Sequence, residues 1–300
     1  MSFIKKYSDK LYLKQWGIGF AKGNPADMIR TKKFDPDIQW LPLEDKAISY
    51  ADPFIFKDAD GRINILFENV STYSLNGKIS LLVCNDRFEP ILEKTVLDTK
   101  DHLSYPFIYR ENGKMYVFPE NAFGGALNSY EFDPVKKTLT GKKKIIGLPL
   151  LDSTILKYEG KYWLFATMLG DTFNSDLHIF YSDNLLGPYT AHKGNPVKKQ
   201  LNGSRPAGNF IEVDGNIYRP AQNCSNYYGE SITINKVKIL TTDEFSEEEY
   251  MIIEPGKNDE FNYGIHTINF ADDIIIVDGQ KSYFQPVQQL GRKLKNILHH

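Results

Sequence analysis

Cysteine is nearly missing from this chain: of 300 residues only Cys84 and Cys224 are cysteine. They lie far apart without metal-ligand spacing, which excludes a disulfide framework and a zinc knuckle and leaves two reduced, part-buried thiols as the expectation. No stretch approaches the ~20 consecutive apolar residues of a membrane-spanning helix. The opening residues Met1 to Asp9 lack the apolar core of a secretory signal, so a cytoplasmic protein is expected. An excess of one charge is missing too. With 36 basic and 38 acidic side chains the formal charge is −2, and lysine is scattered apart from short runs at residues 142–144 and 292–295. Such a chain has no basic field to hold nucleic acid. Phosphate-cradling glycine loops, a nucleophile elbow and a metalloprotease helix are absent as well.

Aromatic residues are plentiful, 13% of the chain and mostly its 19 Phe and 18 Tyr; these favour strands and suit sugar-facing surfaces. A repeat organises them. Segments at residues 51–68, 104–120, 151–167, 204–222 and 264–278 share one pattern, a strand, a Gly- or Asp-centred turn and a second apolar strand. Each is half a blade. Their spacing of roughly fifty residues is that of four-stranded propeller blades, and strand candidates between them (78–84, 129–132, 177–182 and 232–239) supply the outer strands. The expected fold is therefore all-β, a five-bladed β-propeller over residues 1–280 with repeats starting near 51, 104, 151, 204 and 264. Residues 12–20 would close the ring in the last blade. A β-sandwich with chance similarity between hairpins is the alternative. Over residues 281–300 the apolar Val287, Leu290, Leu294, Ile297 and Leu298 fall at helical spacing, predicting a short C-terminal amphipathic helix.

Register converts the repeat into a candidate site. The repeats begin on Asp52, Tyr105, Asp152, Arg205 and His266, and their second strands end on Glu68, Glu120, Thr167, Gln222 and Asp278. In a propeller both sets converge on one end of the axis. Carboxylates, a guanidinium and aromatic rings together suit a polyhydroxylated ligand, a carbohydrate or glycolipid. Each residue taken alone also has a plainer reading: Asp52 before Pro53 can start a turn, Asp152 can cap its own backbone, and His266 can be a core histidine. One histidine among carboxylates has no zinc spacing, so no cofactor is expected, an axial metal ion near His266 being the variant.

Two resemblances follow from these residues. Asp52, Asp152 and His266 resemble the blade-one aspartate, blade-three aspartate and blade-five histidine of family 43 glycoside hydrolases. That resemblance implies Asp52 as general base, Asp152 as the orienting carboxylate, and His266 near an axial metal or water. More closely, Ala51-Asp-Pro-Phe54, Tyr105-Pro-Phe107, Ser204-Arg-Pro-Ala-Gly208, Tyr218-Arg-Pro-Ala-Gln-Asn-Cys224 and Gly264-Ile-His-Thr267 are similar to the propeller at the N-terminus of glucosamine inositolphosphorylceramide transferases and their bacterial relatives, over about residues 16–279. The hydrolases carry a glutamate acid in blade four, where this chain has Arg205, so Glu120, or less well Glu68, is left to supply the acid. The functional expectation is a glycosidase-like propeller acting on a glycan, glycolipid or activated sugar in surface polysaccharide metabolism. Asp52, Glu120 and Asp152 are its catalytic set, and Glu68, Tyr105, Arg205, Gln222 and His266 bind substrate. The alternative is a non-catalytic sugar-binding propeller that presents ligand to a partner glycosyltransferase.

Overall fold

The structure, a computed structural model, describes residues 12–71, 74 and 76–284. They form five antiparallel sheets arranged around an axis. Blade 1 holds β3 (Ile48–Lys57), β4 (Ile63–Ser71), β5 (Gly77–Cys84) and β6 (Pro90–Leu97), from the axis outward. Blade 2 holds β7 (Ser104–Glu111), β8 (Lys114–Glu120), β9 (Leu127–Asp133) and β10 (Thr138–Ile146). Blade 3 is built from β11 (Leu150–Tyr158), β12 (Lys161–Met168), β13 (Asp176–Ser182), β14 (Thr190–Ala191) and β15 (Lys198–Lys199). In blade 4 the inner strand is split into β16 (Asn202–Pro206) and β17 (Ile211–Val213), followed by β18 (Asn216–Asn223), β19 (Ser231–Leu240) and β20 (Phe245–Ile253).

Blade 5 joins the two ends of the chain. Its inner strands β21 (Ile268–Ala271) and β22 (Ile274–Phe284) are completed by β1 (Tyr12–Lys22) and β2 (Gln39–Trp40), β1 pairing along the whole of β22 with Gly17 opposite Gly279. This is the expected ring closure. Five apolar clusters fill the five inter-blade seams, for example Phe56, Leu66, Val117 and Phe132 between blades 1 and 2 and Ala207, Ile234, Ile268 and Val277 between blades 4 and 5. The innermost strands β3 and β11 are buried along most of their length, whereas β6 and β10 face solvent. The run Lys142 to Lys144 lies on β10, where charge discourages pairing with another chain.

Turn chemistry is local. Asn112-Gly113, Glu159-Gly160 and Asp214-Gly215 all have positive φ, the conformation of a two-residue type I′ hairpin. One short helix stands among the described residues, α1 (Pro25–Thr31), capped by the Asn24 side chain on Ala26 N at 2.8 Å, with Pro25 opening its first turn. Its Met28 and Ile29 are buried in the blade 4–5 seam. Asn24-Pro25 is the sequence signal for α1; the helix expected at the C-terminus lies outside the described residues.

Candidate functional site

All ten register positions come together at one end of the axis, and each is at most 8% exposed. The backbone explains how they point inward. Asp52, Tyr105 and Asp152 have φ of 52°, 41° and 50°, each inside a register shift of its inner strand (Ala51/Phe54, Ser104/Phe107 and Leu151/Thr154). A bulge with a left-handed residue breaks the alternation and turns that side chain from the blade toward the axis. Aspartate accepts this conformation readily; a tyrosine there is strained.

The bulge frees backbone N–H groups, and the carboxylates accept them. Asp278 Oδ2 accepts from Asp52 N at 3.0 Å, Asp52 Oδ2 from Tyr105 N at 3.2 Å, and Glu120 Oε2 from Asp152 N at 3.1 Å. Each bond crosses from one blade to the next, so these carboxylates hold the ring as well as lining it. Asp278 Oδ1 also accepts from the N–H groups of His266 and Thr267, at 3.0 and 2.9 Å.

Two subclusters result. In the first, Thr267 Oγ1 donates to Asp52 Oδ1 at 2.9 Å and His266 Nε2 stands 3.7 Å from the same oxygen. His266 Nδ1 is 2.6 Å from Asp278 Oδ2 but not aligned with it for a hydrogen bond. Burial pushes the Asp52 pKa up to about 6, with Asp152 and Asp278 adding to the rise and His266 opposing it. Burial alone would lower the imidazole, yet the charges of Asp278 and Asp52 outweigh it and hold His266 above its usual range. Ligand atoms of Asp52, His266 and Asp278 all lie within 4.8 Å of one another. One imidazole nitrogen lacking an aligned partner and two carboxylates fit a small cation, which would neutralise the aspartates and could hold hydroxyl oxygens.

In the second subcluster, Asp152 Oδ2 accepts from Arg205 Nε at 2.5 Å and from Gln222 Nε2 at 2.8 Å, and Arg205 also donates to Asn174 Oδ1 at 3.3 Å. Glu120 is 3.9 Å from the guanidinium. Its pKa is nevertheless well above the usual range, because burial and the adjacent Asp152 charge exceed the help from Arg205. Glu68 is raised well above it too, by burial and then by Asp52, Glu120 and Asp152, and lies 3.3 Å from His102 Nε2.

Tyr105 and Gln222 are spent on support. The Tyr105 hydroxyl contacts Thr154 Oγ1 at 2.8 Å and accepts from Gly208 N at 2.7 Å, so the ring crosses the axis from blade 2 to blade 4 as a floor. Above, the accessible rim is aromatic. Trp16 stacks on the His266 ring with centroids 3.9 Å apart, Tyr228 meets both rings edge-on, and Arg205 lies over Tyr228 at 5.1 Å and Phe173 at 5.8 Å. Trp16, Asn174, Phe173, Tyr228 and Thr267 were not singled out as site residues from the sequence. They lie in the closing strand, in two loops or beside a register position, outside the positions the repeat aligns.

The propeller fold is shared with several glycoside hydrolases. Solved structures of similar fold include a family 117 glycoside hydrolase from the marine bacterium Zobellia galactanivorans, at TM-score 0.55 and 16% identity over 92% of both chains. Another is a family 43 β-1,3-galactosidase solved with galactodeoxynojirimycin, at TM-score 0.56 and 12% identity over 72% of this chain and 82% of that one. At such identities the likeness is one of fold. The family is settled by sequence: residues 45–271 match the model of the glucosamine inositolphosphorylceramide transferase 1 N-terminal domain, and the chain belongs to that family. It is 32% identical over 248 residues to glucosamine inositolphosphorylceramide transferase 1 of Arabidopsis thaliana, covering 77% of this chain and 32% of that protein. With the protein of the same name from Oryza sativa subsp. japonica it shares 34% over 208 residues, 66% of this chain and 27% of that one. The chain thus spans about a third of the length of these relatives. No helix among the described residues is long and apolar enough to cross a membrane.

Proposed function

We propose that the axial mouth binds a carbohydrate and that the chain is a glycosidase-like enzyme acting on a glycan, glycolipid or activated sugar in surface polysaccharide metabolism. The observation that carries the catalytic reading is Glu120: a buried carboxyl held well above its usual pKa, against an aspartate already paired with Arg205. That is how a general acid is kept protonated near neutral pH. Glu120 would protonate the leaving oxygen as the anomeric C–O bond breaks. Asp52, on the neighbouring blade 1, would take a proton from the water that attacks the anomeric carbon, and solvent would restore both groups. Asp152 orients, and the Trp16 and Tyr228 rings offer faces for the apolar side of a sugar.

A second reading is favoured by a different observation. The carboxylates of Asp52, Glu120 and Asp278 each already accept a backbone N–H, which a structural ring requires without any chemistry. On this reading the propeller binds sugar and presents it to a partner glycosyltransferase, in keeping with relatives that are transferases about three times as long. Glycan arrays and activated sugars followed by product analysis separate the two. Under the enzyme reading, Glu120→Gln and Asp52→Asn each cut turnover at least a hundredfold while ligand still binds. Sugar binding with no product from the wild-type protein sinks it in favour of the binding module.

A further inference from the structure

A cavity opens on the face of the propeller opposite the axial carboxylates, in the seam between blades 1 and 2. It measures about 530 Å³ and lies among the β3–β4 and β7–β8 hairpins and the β9–β10 turn, a size that suits a small molecule. Its wall carries the paired rings of Phe56 and Phe132, edge to face at 5.3 Å, with Met115 beside them. One side-chain oxygen there has no donor, and one cation has no carboxylate. Asn64 is fully buried, donates through Nδ2 to Arg62 O at 2.9 Å, and has no donor on Oδ1. Arg110 lies over the Phe56 ring at 5.6 Å and donates to the Lys57 carbonyl at 3.1 Å.

The other lining charges are paired off: Lys57 with Asp272 at 2.8 Å, Lys114 with Glu131 at 2.9 Å and Lys137 with Asp58 at 3.9 Å. Glu111 is taken by Lys157 and the Tyr162 hydroxyl. Among the described residues Arg110 is the lining cation left without a carboxylate. A guanidinium on an aromatic face is the geometry that receives a planar carboxylate bidentately. A buried amide oxygen with no donor costs free energy that a ligand N–H or O–H would recover.

We propose that this seam is a binding site for a planar aromatic monocarboxylate carrying a hydroxyl or N–H group. The carboxylate pairs with Arg110, the ring packs against Phe56, Phe132 and Met115, and the donor reaches Asn64 Oδ1. The site is independent of the reading of the axial mouth. The test is a titration of the full chain with para-hydroxybenzoate, followed by two-dimensional NMR, alongside its methyl ester, unsubstituted benzoate and the variant Arg110→Met. Arg110 is exposed, so the variant is expected to fold as wild type. Saturable shifts at Asn64, Arg110, Met115 and Phe132 are expected, weakened at least tenfold by esterification or by Arg110→Met and several-fold by loss of the hydroxyl. An ester that binds as tightly as the acid overturns the proposal, as does an unchanged affinity in Arg110→Met or the absence of shifts at these residues with millimolar acid.

Discussion

Glu120 and Glu68 keep protons that the unfolded chain has given up, because burial penalises their anions more than any neighbour favours them. Their ordinary value is 4.5, so folding takes up protons as pH rises past that point. The stabilising contribution is therefore complete below about pH 4.5 and is lost as pH climbs through the raised folded values. Urea midpoints are expected to be higher near pH 5 than near pH 8. Glu120→Gln imitates the protonated acid and its amide oxygen can still accept from Asp152 N. It should flatten that slope and raise the midpoint near pH 8. The substitution that abolishes chemistry is thus expected to stabilise the fold. A midpoint below wild type near pH 8 would show instead that the carboxylate's contacts outweigh its burial.

At the scale of elements, ring closure rests on the β1–β22 pair, where the backbones pass close to an aromatic wall. A Cβ on Gly17 would meet the Phe261 ring at 2.3 Å, and one on Gly279 would meet Trp40 at 2.3 Å. Glycine is needed there for space. Gly17→Ala should cost about 1–3 kcal/mol, measured by chemical unfolding, and an unchanged stability would mean that Phe261 moves aside freely. Deleting residues 1–22 removes β1 entirely and leaves β22 as an open edge, so the shortened chain is expected to aggregate. A soluble, cooperatively folding deletion would contradict a closure that depends on β1.

The whole molecule has no single core; five seams share the apolar burial, and opening any one exposes its neighbours. Cys84 sits in the seam between blades 5 and 1, where burial pushes its thiol up to about 12, and Cys224 lies buried near the mouth with its thiol raised by burial as well. Neither forms the thiolate that reacts. In native buffer a thiol reagent is expected to label neither residue, and in urea both should react along the global unfolding curve. Early labelling of one cysteine would reveal a blade that opens on its own.

Blade number, the pairing of β1 into the last blade and the ten axial positions were legible in the sequence. All three follow from a pattern repeated in register, and the path of a strand hairpin converts register into position. Side-chain partnership was not legible. The left-handed bulges that aim Asp52 and Asp152 inward leave the residue pattern of a strand unchanged, and the carboxylate bonds of Asp278 and Glu120 join residues from different blades. Tyr105 belongs in a sugar site by position, yet its hydroxyl is consumed by Thr154 and Gly208 across the axis. Trp16 reaches His266 only because the chain's first described strand closes its last blade. Local sequence determines where each strand runs and which residues face the axis; which of those groups are left free for a ligand is decided by contacts between distant segments, which exist only once the ring has closed.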